Sequence, residues 1–238
     1  MTAITYFQFH GLFLLPPLAA LTAAGVRRRS EWNSAHWAGT AVVLALALAY
    51  TTPWDNYLID RGVWWYGEDA VTARLWLAPV EEYLFIVVQT VLAALWLTQL
   101  PAPDADGASV SGTDRLGGAL AGIAVGVVGV ALALRGGATF YLGAILAWAG
   151  PVLALQWGFG WPALWRARRT VAVGVALPTA YLCLIDRIAL SAGTWQLSAH
   201  HTTGVAVLGL PVEEATFFLT TTLFVVQGLV LFDWVIGE

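Results

Sequence analysis

The chain contains no lysine; all eleven of its basic residues are arginine. A protein that holds retinal as a Schiff base needs a lysine amine, so seven-helix retinal proteins are excluded despite the helix count reached below. Cysteine is nearly absent too. The single Cys183 lies in an apolar stretch, which leaves no intrachain disulfide and no CxxC metal site. Charge is the third shortage: 11% of the 238 residues are charged, against about 25% in an ordinary soluble domain. With 59% hydrophobic residues and a mean hydropathy of +0.72, so few charges cannot cover a solvated surface. The outer face must therefore meet membrane lipid. A net charge of −4 supplies no basic patch, so no nucleic-acid partner is expected. The N-terminus has no positively charged n-region, and arginines follow rather than precede the first apolar segment. That segment is expected to be a retained helix and not a cleaved signal.

What the chain does have is apolar runs of the ~20 residues that a membrane-crossing helix needs. They predict an all-α polytopic membrane protein with seven transmembrane helices, near 4–25, 36–54, 75–99, 115–134, 138–160, 170–190 and 205–235. The glycines of the fourth run, GGALAGIAVGVVG, suit close helix contact in a bilayer. Arginines cluster after the first helix (Arg27, Arg28, Arg29) and after the fifth (Arg166, Arg168, Arg169). By the positive-inside bias, the N-terminus is expected outside, the C-terminus in the cytoplasm, and the loops 55–74 and 191–204 outside. Segment 101–114 reads as a polar inner linker.

Two halves repeat. Asp55 to Trp64 and Asp186 to Trp195 both read D-x6-G-x-W, and each leads fifteen or sixteen residues later to PVEE, at Pro79–Glu82 and Pro211–Glu214. A phenylalanine follows each second glutamate by three residues, Phe85 and Phe217. A fainter match pairs Tyr6 and Pro16 with Tyr141 and Pro151. The expected organisation is a three-helix unit at 1–100, a linker and fourth helix at 101–137, and a second unit at 138–238. One helix between the units makes them parallel, so both acid pairs fall on the same side of the membrane, where the apolar runs begin.

Acids in the first turn of a helix complement its dipole, and proline is welcome there. A helix start alone, however, needs no matched tryptophan upstream. Ionisable groups beside a membrane interior point to function, which makes Glu81, Glu82, Glu213 and Glu214 candidate catalytic residues, with Asp55 and Asp186 as their partners. Adjacent residues point about 100° apart on a helix, so one glutamate of each pair is expected to face a pocket and the other to orient it. Trp64, Trp195, Phe85, Phe217, Pro79 and Pro211 are the candidate substrate-binding set. Most of the thirteen tryptophans are expected to be interfacial anchors.

The doubled D…G-x-W…P-x-E-E-x-x-F pattern, running over nearly the whole chain, resembles the membrane-integral lycopene β-cyclases of carotenoid biosynthesis. In bacteria of that family the halves are separate subunits; in archaeal and fungal relatives they are fused, as here. The resemblance implies redox-neutral closure of the linear ψ-ends of lycopene into β-ionone rings, through γ-carotene to β-carotene. Such chemistry needs an acid to protonate a terminal double bond, an aromatic lining for the cation, and a base. It needs no cofactor, and no GxGxxG follows a strand to suggest a flavin or nicotinamide. No metal is expected: His200 and His201 have no counterpart in the first half, where Asp69 and Ala70 stand. A carotenoid hydratase and a transporter with parallel repeats are the alternatives.

Overall fold

Apolar runs in lipid have no water to satisfy their peptide groups, so each closes its hydrogen bonds within itself as a helix. The computed structural model describes residues 4–27, 34–101 and 107–237. Among them, seven helices are long and apolar enough to cross a membrane. Helix α1 opens as Tyr6–Phe9, widens through a π-helical turn at His10–Leu14 and continues as Leu15–Arg27. Then follow α2 (Ser34–Asp60), α3 (Val80–Leu97), α4 (Gly112–Arg135), α5 (Phe140–Arg166), α6 (Arg168–Ala192) and α7 (Val212–Gly237). Arg28, Arg29 and residues 102–106 of the expected linker lie outside the described residues, as does the Arg27 side chain.

Boundaries near the acid pairs differ from the expected ones. Helix α2 continues past Pro53 to Asp60, so Asp55 sits on a helix and not in a loop beginning at 55. It ends in a Schellman-type turn: Gly62 adopts φ +66° and the Val63 N–H donates to the Leu58 carbonyl at 3.0 Å. Helix α6 ends the same way, with Gly193 at φ +74° and the Thr194 N–H donating to Ala189 at 3.1 Å. This left-handed turn is the reason for the glycine in D-x6-G-x-W.

The loops after α2 and α6 each contain a short strand and a hairpin. Strand β1 is Trp64–Tyr66, and β2 (Arg74–Leu75) pairs with β3 (Ala78–Pro79). In the second half, β4 is Trp195–Leu197, and β5 (Ala206–Val207) pairs with β6 (Leu210–Pro211). Helices α3 and α7 consequently start at Val80 and Val212 rather than at 75 and 205. The hairpin tips carry exposed apolar side chains, Trp76 and Leu208, which suits the interfacial zone of a bilayer.

Strands β1 and β4 pair antiparallel, with Trp64 opposite Leu197, Trp65 opposite Gln196 and Tyr66 opposite Trp195. Residues 64–66 and 195–197 are the repeat equivalents, 131 apart, so the ladder is centred on one equivalent pair, Trp65 and Gln196. An antiparallel pair of this kind is related by a two-fold axis perpendicular to the ladder. Equivalent hydrogen bonds extend it: the Gly67 N–H donates to Thr194 at 3.0 Å and the Ser198 N–H to Val63 at 2.8 Å. Deeper in the bundle, the equivalent Gln89 of α3 and Thr221 of α7 meet through a 2.8 Å hydrogen bond. The pseudo-axis therefore runs from the ladder down between α3 and α7.

The same symmetry ties the halves together. The Tyr50 hydroxyl of α2 donates to the Trp148 carbonyl of α5 at 2.9 Å, and its equivalent Tyr181 of α6 donates to the Phe13 carbonyl of α1 at 2.5 Å. Pro17 has no N–H for that Phe13 carbonyl, and the phenol takes the vacant place. Helix α4 stands apart from this arrangement and packs along α5. A Cβ on Gly122 would land on the Ala154 backbone, and one on Gly129 on the Ala147 backbone.

Candidate acid–base chamber

Both second glutamates point inward and both first glutamates point away. Glu82 and Glu214 line one chamber, together with Asp55, Asp186, Trp64, Trp195, Phe85 and Phe217. Glu81 and Glu213 turn back onto their own loops. Glu81 Oε1 accepts from the Thr72 N–H at 2.8 Å, and Glu213 Oε1 from the equivalent Thr203 N–H at 2.7 Å. Both are almost fully buried, at 1% and 0% exposure, so each behaves as a clamp on the segment between strand and hairpin. Pro79 and Pro211 also stand outside the lining: they end the hairpins immediately before α3 and α7. Of the twelve sequence-derived candidates, the chamber collects the eight named first.

The offset between equivalent residues grows from 131 at Thr72 and Thr203 to 132 at Val80 and Val212. The inserted residue is Gly204, at φ +74°. Its extra turn keeps both clamps in register: the Val80 N–H donates to Ala73, and the Val212 N–H to Val205, each at 3.0 Å.

The groups that hold the chamber glutamates are phenols, which the sequence reasoning did not place there. Tyr6 donates to Glu82 Oε2 at 2.9 Å, Tyr66 to Glu82 Oε1 at 2.6 Å, and Tyr141 to Glu214 Oε1 at 2.9 Å. Tyr6 and Tyr141 are the residues of the faint Tyr-to-Pro match. Each lies in the first turn of its half's first helix and docks by its N–H onto its own loop, Tyr6 on the Ala70 carbonyl at 2.7 Å and Tyr141 on His201 at 3.1 Å. His201 thus serves through its carbonyl, while its ring packs 5.1 Å from Phe140. Burial, with Glu82 beside it, pushes the Tyr66 phenol well above the ordinary tyrosine value, so it stays a neutral donor across the physiological range. The Trp195 indole donates to Asp186 Oδ1 at 3.0 Å, and the Trp64 indole to the Tyr66 hydroxyl at 3.1 Å.

Aromatic rings wall the space. Tyr6 lies 4.9 Å from Trp195, Trp64 lies 5.7 Å from Tyr141, and Trp54 stacks on Phe217 at 5.7 Å. No described lining residue is basic. Four carboxyls, three of them buried, facing one space with no described cation among its lining cannot all be charged, because unpaired buried charge is too costly. The chamber can therefore hold and transfer protons between carboxyls under aromatic faces. At about 60 Å³ it is small; a cavity of about 150 Å³ is what admits benzene, so a guest of that size or larger requires the walls to part.

Seven apolar helices, six of them contributing to a carboxyl-lined, aromatic-walled chamber, define a polytopic membrane protein with a candidate acid–base site inside it. The chain belongs to the lycopene cyclase family, whose model matches residues 4–100 and 138–232. It is similar to a lycopene beta-cyclase of Halobacterium salinarum, 52% identical over 236 residues that span 98% of each chain. It also resembles a bifunctional lycopene cyclase/phytoene synthase of Podospora anserina, 33% identical over 97% of this chain and 40% of the fungal one. A protein of the same description from Arthroderma gypseum is 31% identical over 95% of this chain and 41% of its own. No solved structure matches the chain.

Proposed function

We propose that this protein is a lycopene β-cyclase and that the chamber around Glu82 and Glu214 is its active site. The observation that carries the site assignment is the convergence of four carboxyls from both halves, with no basic residue among the described lining, under the rings of Trp64, Trp195, Phe85 and Phe217. The substrate is lycopene, and γ-carotene after one closure. A chamber carboxylic acid protonates the terminal double bond and leaves a tertiary cation. The neighbouring double bond attacks it, forming the ring. A chamber carboxylate then removes a ring proton, restoring a double bond, so hydrogens and electrons balance with no cofactor. General acid–base catalysis of this type contributes about 10²–10⁴-fold. Ring faces over a desolvated cation add about 2 kcal/mol. Asp55 and Asp186 are assigned as chamber partners that share the proton, and Glu81 and Glu213 as loop clamps.

Both acid ends belong to one chamber, so the two ψ-ends are closed one at a time, with the substrate turned or rebound between closures. The division into units 1–100 and 138–238 joined by 101–137 fits the equivalent hydrogen bonds described above. We place the chamber at the outer side of the membrane and the C-terminus in the cytoplasm, because Arg166, Arg168 and Arg169 lie at the opposite end of the bundle from the chamber. A C-terminal reporter active only in the cytoplasm checks this; a silent reporter reverses the orientation. The function itself is tested by expressing the chain in a lycopene-accumulating host and analysing the pigments. Cyclic carotenes are expected. Hydroxylated acyclic products would mean that water traps the cation, as in a hydratase, and unchanged lycopene would remove the enzymatic reading.

A further inference from the structure

The two chamber glutamates are not wired alike, and the difference traces to one position. Glu82 accepts on both oxygens, from Tyr6 and Tyr66, whereas Glu214 accepts, among the described residues, from Tyr141 alone. Tyr66 is the repeat equivalent of Leu197, which has nothing to donate. The same phenol redirects the tryptophan beside it. The Trp64 indole donates to the Tyr66 oxygen, while the Trp195 indole, lacking such a partner, donates to Asp186. An indole N–H can only donate. The Tyr66 oxygen therefore receives that bond, and its own single proton points at Glu82 Oε1. Glu82 is thus fixed as an acceptor on that oxygen. No described group donates to the Tyr141 oxygen, and no described group donates to Glu214 Oε2, so Glu214 is free to carry a proton.

We propose that Tyr66 is a positioning residue that divides the labour of the two glutamates: it makes Glu82 the resident carboxylate, the base, and leaves Glu214 as the acid. This rests on the cyclase reading. In each closure the Glu214 O–H bond breaks and its proton goes to the terminal carbon–carbon double bond. The internal double bond supplies the electron pair of the new ring bond. Glu82 then takes the ring proton, and that C–H pair becomes the ring double bond. The proton returns from Glu82 to Glu214 across the shared chamber before the next closure, so nothing is consumed.

The test exploits the pseudosymmetry. Tyr66→Phe keeps the ring and removes the hydroxyl; it should lower kcat about tenfold or more, the worth of a hydrogen bond to a charged acceptor, with KM little changed. Leu197→Tyr gives the acid a second donor and should also slow turnover. The double variant Y66L/L197Y moves the asymmetry to the other half and should be faster than Y66L alone. An infrared readout on purified protein in lipid needs no substrate. In difference spectra against the parent protein, the protonated-carboxyl carbonyl stretch should lose a component in E214Q and not in E82Q, and this order should invert in the Y66L/L197Y background. Loss of a protonated-carboxyl component in E82Q of the otherwise native protein, or a Tyr66→Phe variant with unchanged kcat, would overturn the assignment. If the native protein makes no cyclic carotene, the cyclase reading fails, while the infrared assignment of base and acid is decided separately.

Discussion

One residue separates a clamp from a chamber wall in each PVEE motif. A helix turns about 100° per residue, which is why adjacent glutamates must part company. Which of the two faces inward was not legible in the sequence, because it depends on where the helix starts and what its loop offers. The structure answers with the Thr72 and Thr203 N–H groups, which claim Glu81 and Glu213. Replacing a clamp by alanine leaves a part-buried backbone N–H without its carboxyl acceptor, so Glu81→Ala and Glu213→Ala are expected to lose about 1–3 kcal/mol of stability. Glu81→Gln and Glu213→Gln keep an acceptor oxygen and should stay close to native in thermal stability. Melting curves in detergent check the contrast; an equal loss in the alanine and glutamine variants would mean that the side chains serve otherwise. Tyr66 escaped notice for a related reason. Repeats are found by matches, and its importance lies in a mismatch with Leu197. Tyr6 and Tyr141 did leave a signal, the shared spacing to proline, but nothing in that spacing says that a phenol reaches a carboxylate.

Among the elements, the seven long runs were readable because a bilayer allows little else, whereas the six short strands were not. Two-residue strands such as Arg74–Leu75 and Ala206–Val207 are too brief to show alternation. Their apolar residues also merge with the helix that follows. The fourth helix is the opposite case, since its glycines announced close packing and do meet α5 backbone to backbone. Its contacts lie away from the chamber lining. A Gly122→Val or Gly129→Val substitution forces side-chain atoms onto that backbone and should cost about 1–3 kcal/mol or more through overpacking. The expected result is a lower melting temperature, with activity per folded molecule largely retained. Full loss of activity in protein that remains folded would show that α4 shapes the chamber.

At the scale of the whole molecule, the pseudo-axis brings the four carboxyls to one chamber. It explains why the chain carries its acid motif twice: each half supplies one aspartate and one chamber glutamate, and the axis brings them to a single space at one depth. The sequence predicted the parallel halves and the common depth. It could not show the β1–β4 ladder that locks them, because that pairing joins residues 131 apart with only three pairs to reveal it. The central claim is that neither half cyclises alone. Pigment analysis of Glu82→Gln and Glu214→Gln in a lycopene-accumulating host tests it most directly. The account predicts that each single variant loses both closures, leaving lycopene with neither γ-carotene nor β-carotene above about a hundredth of the native level, in line with loss of a general acid or base. Either variant making γ-carotene or β-carotene at the native rate would contradict it.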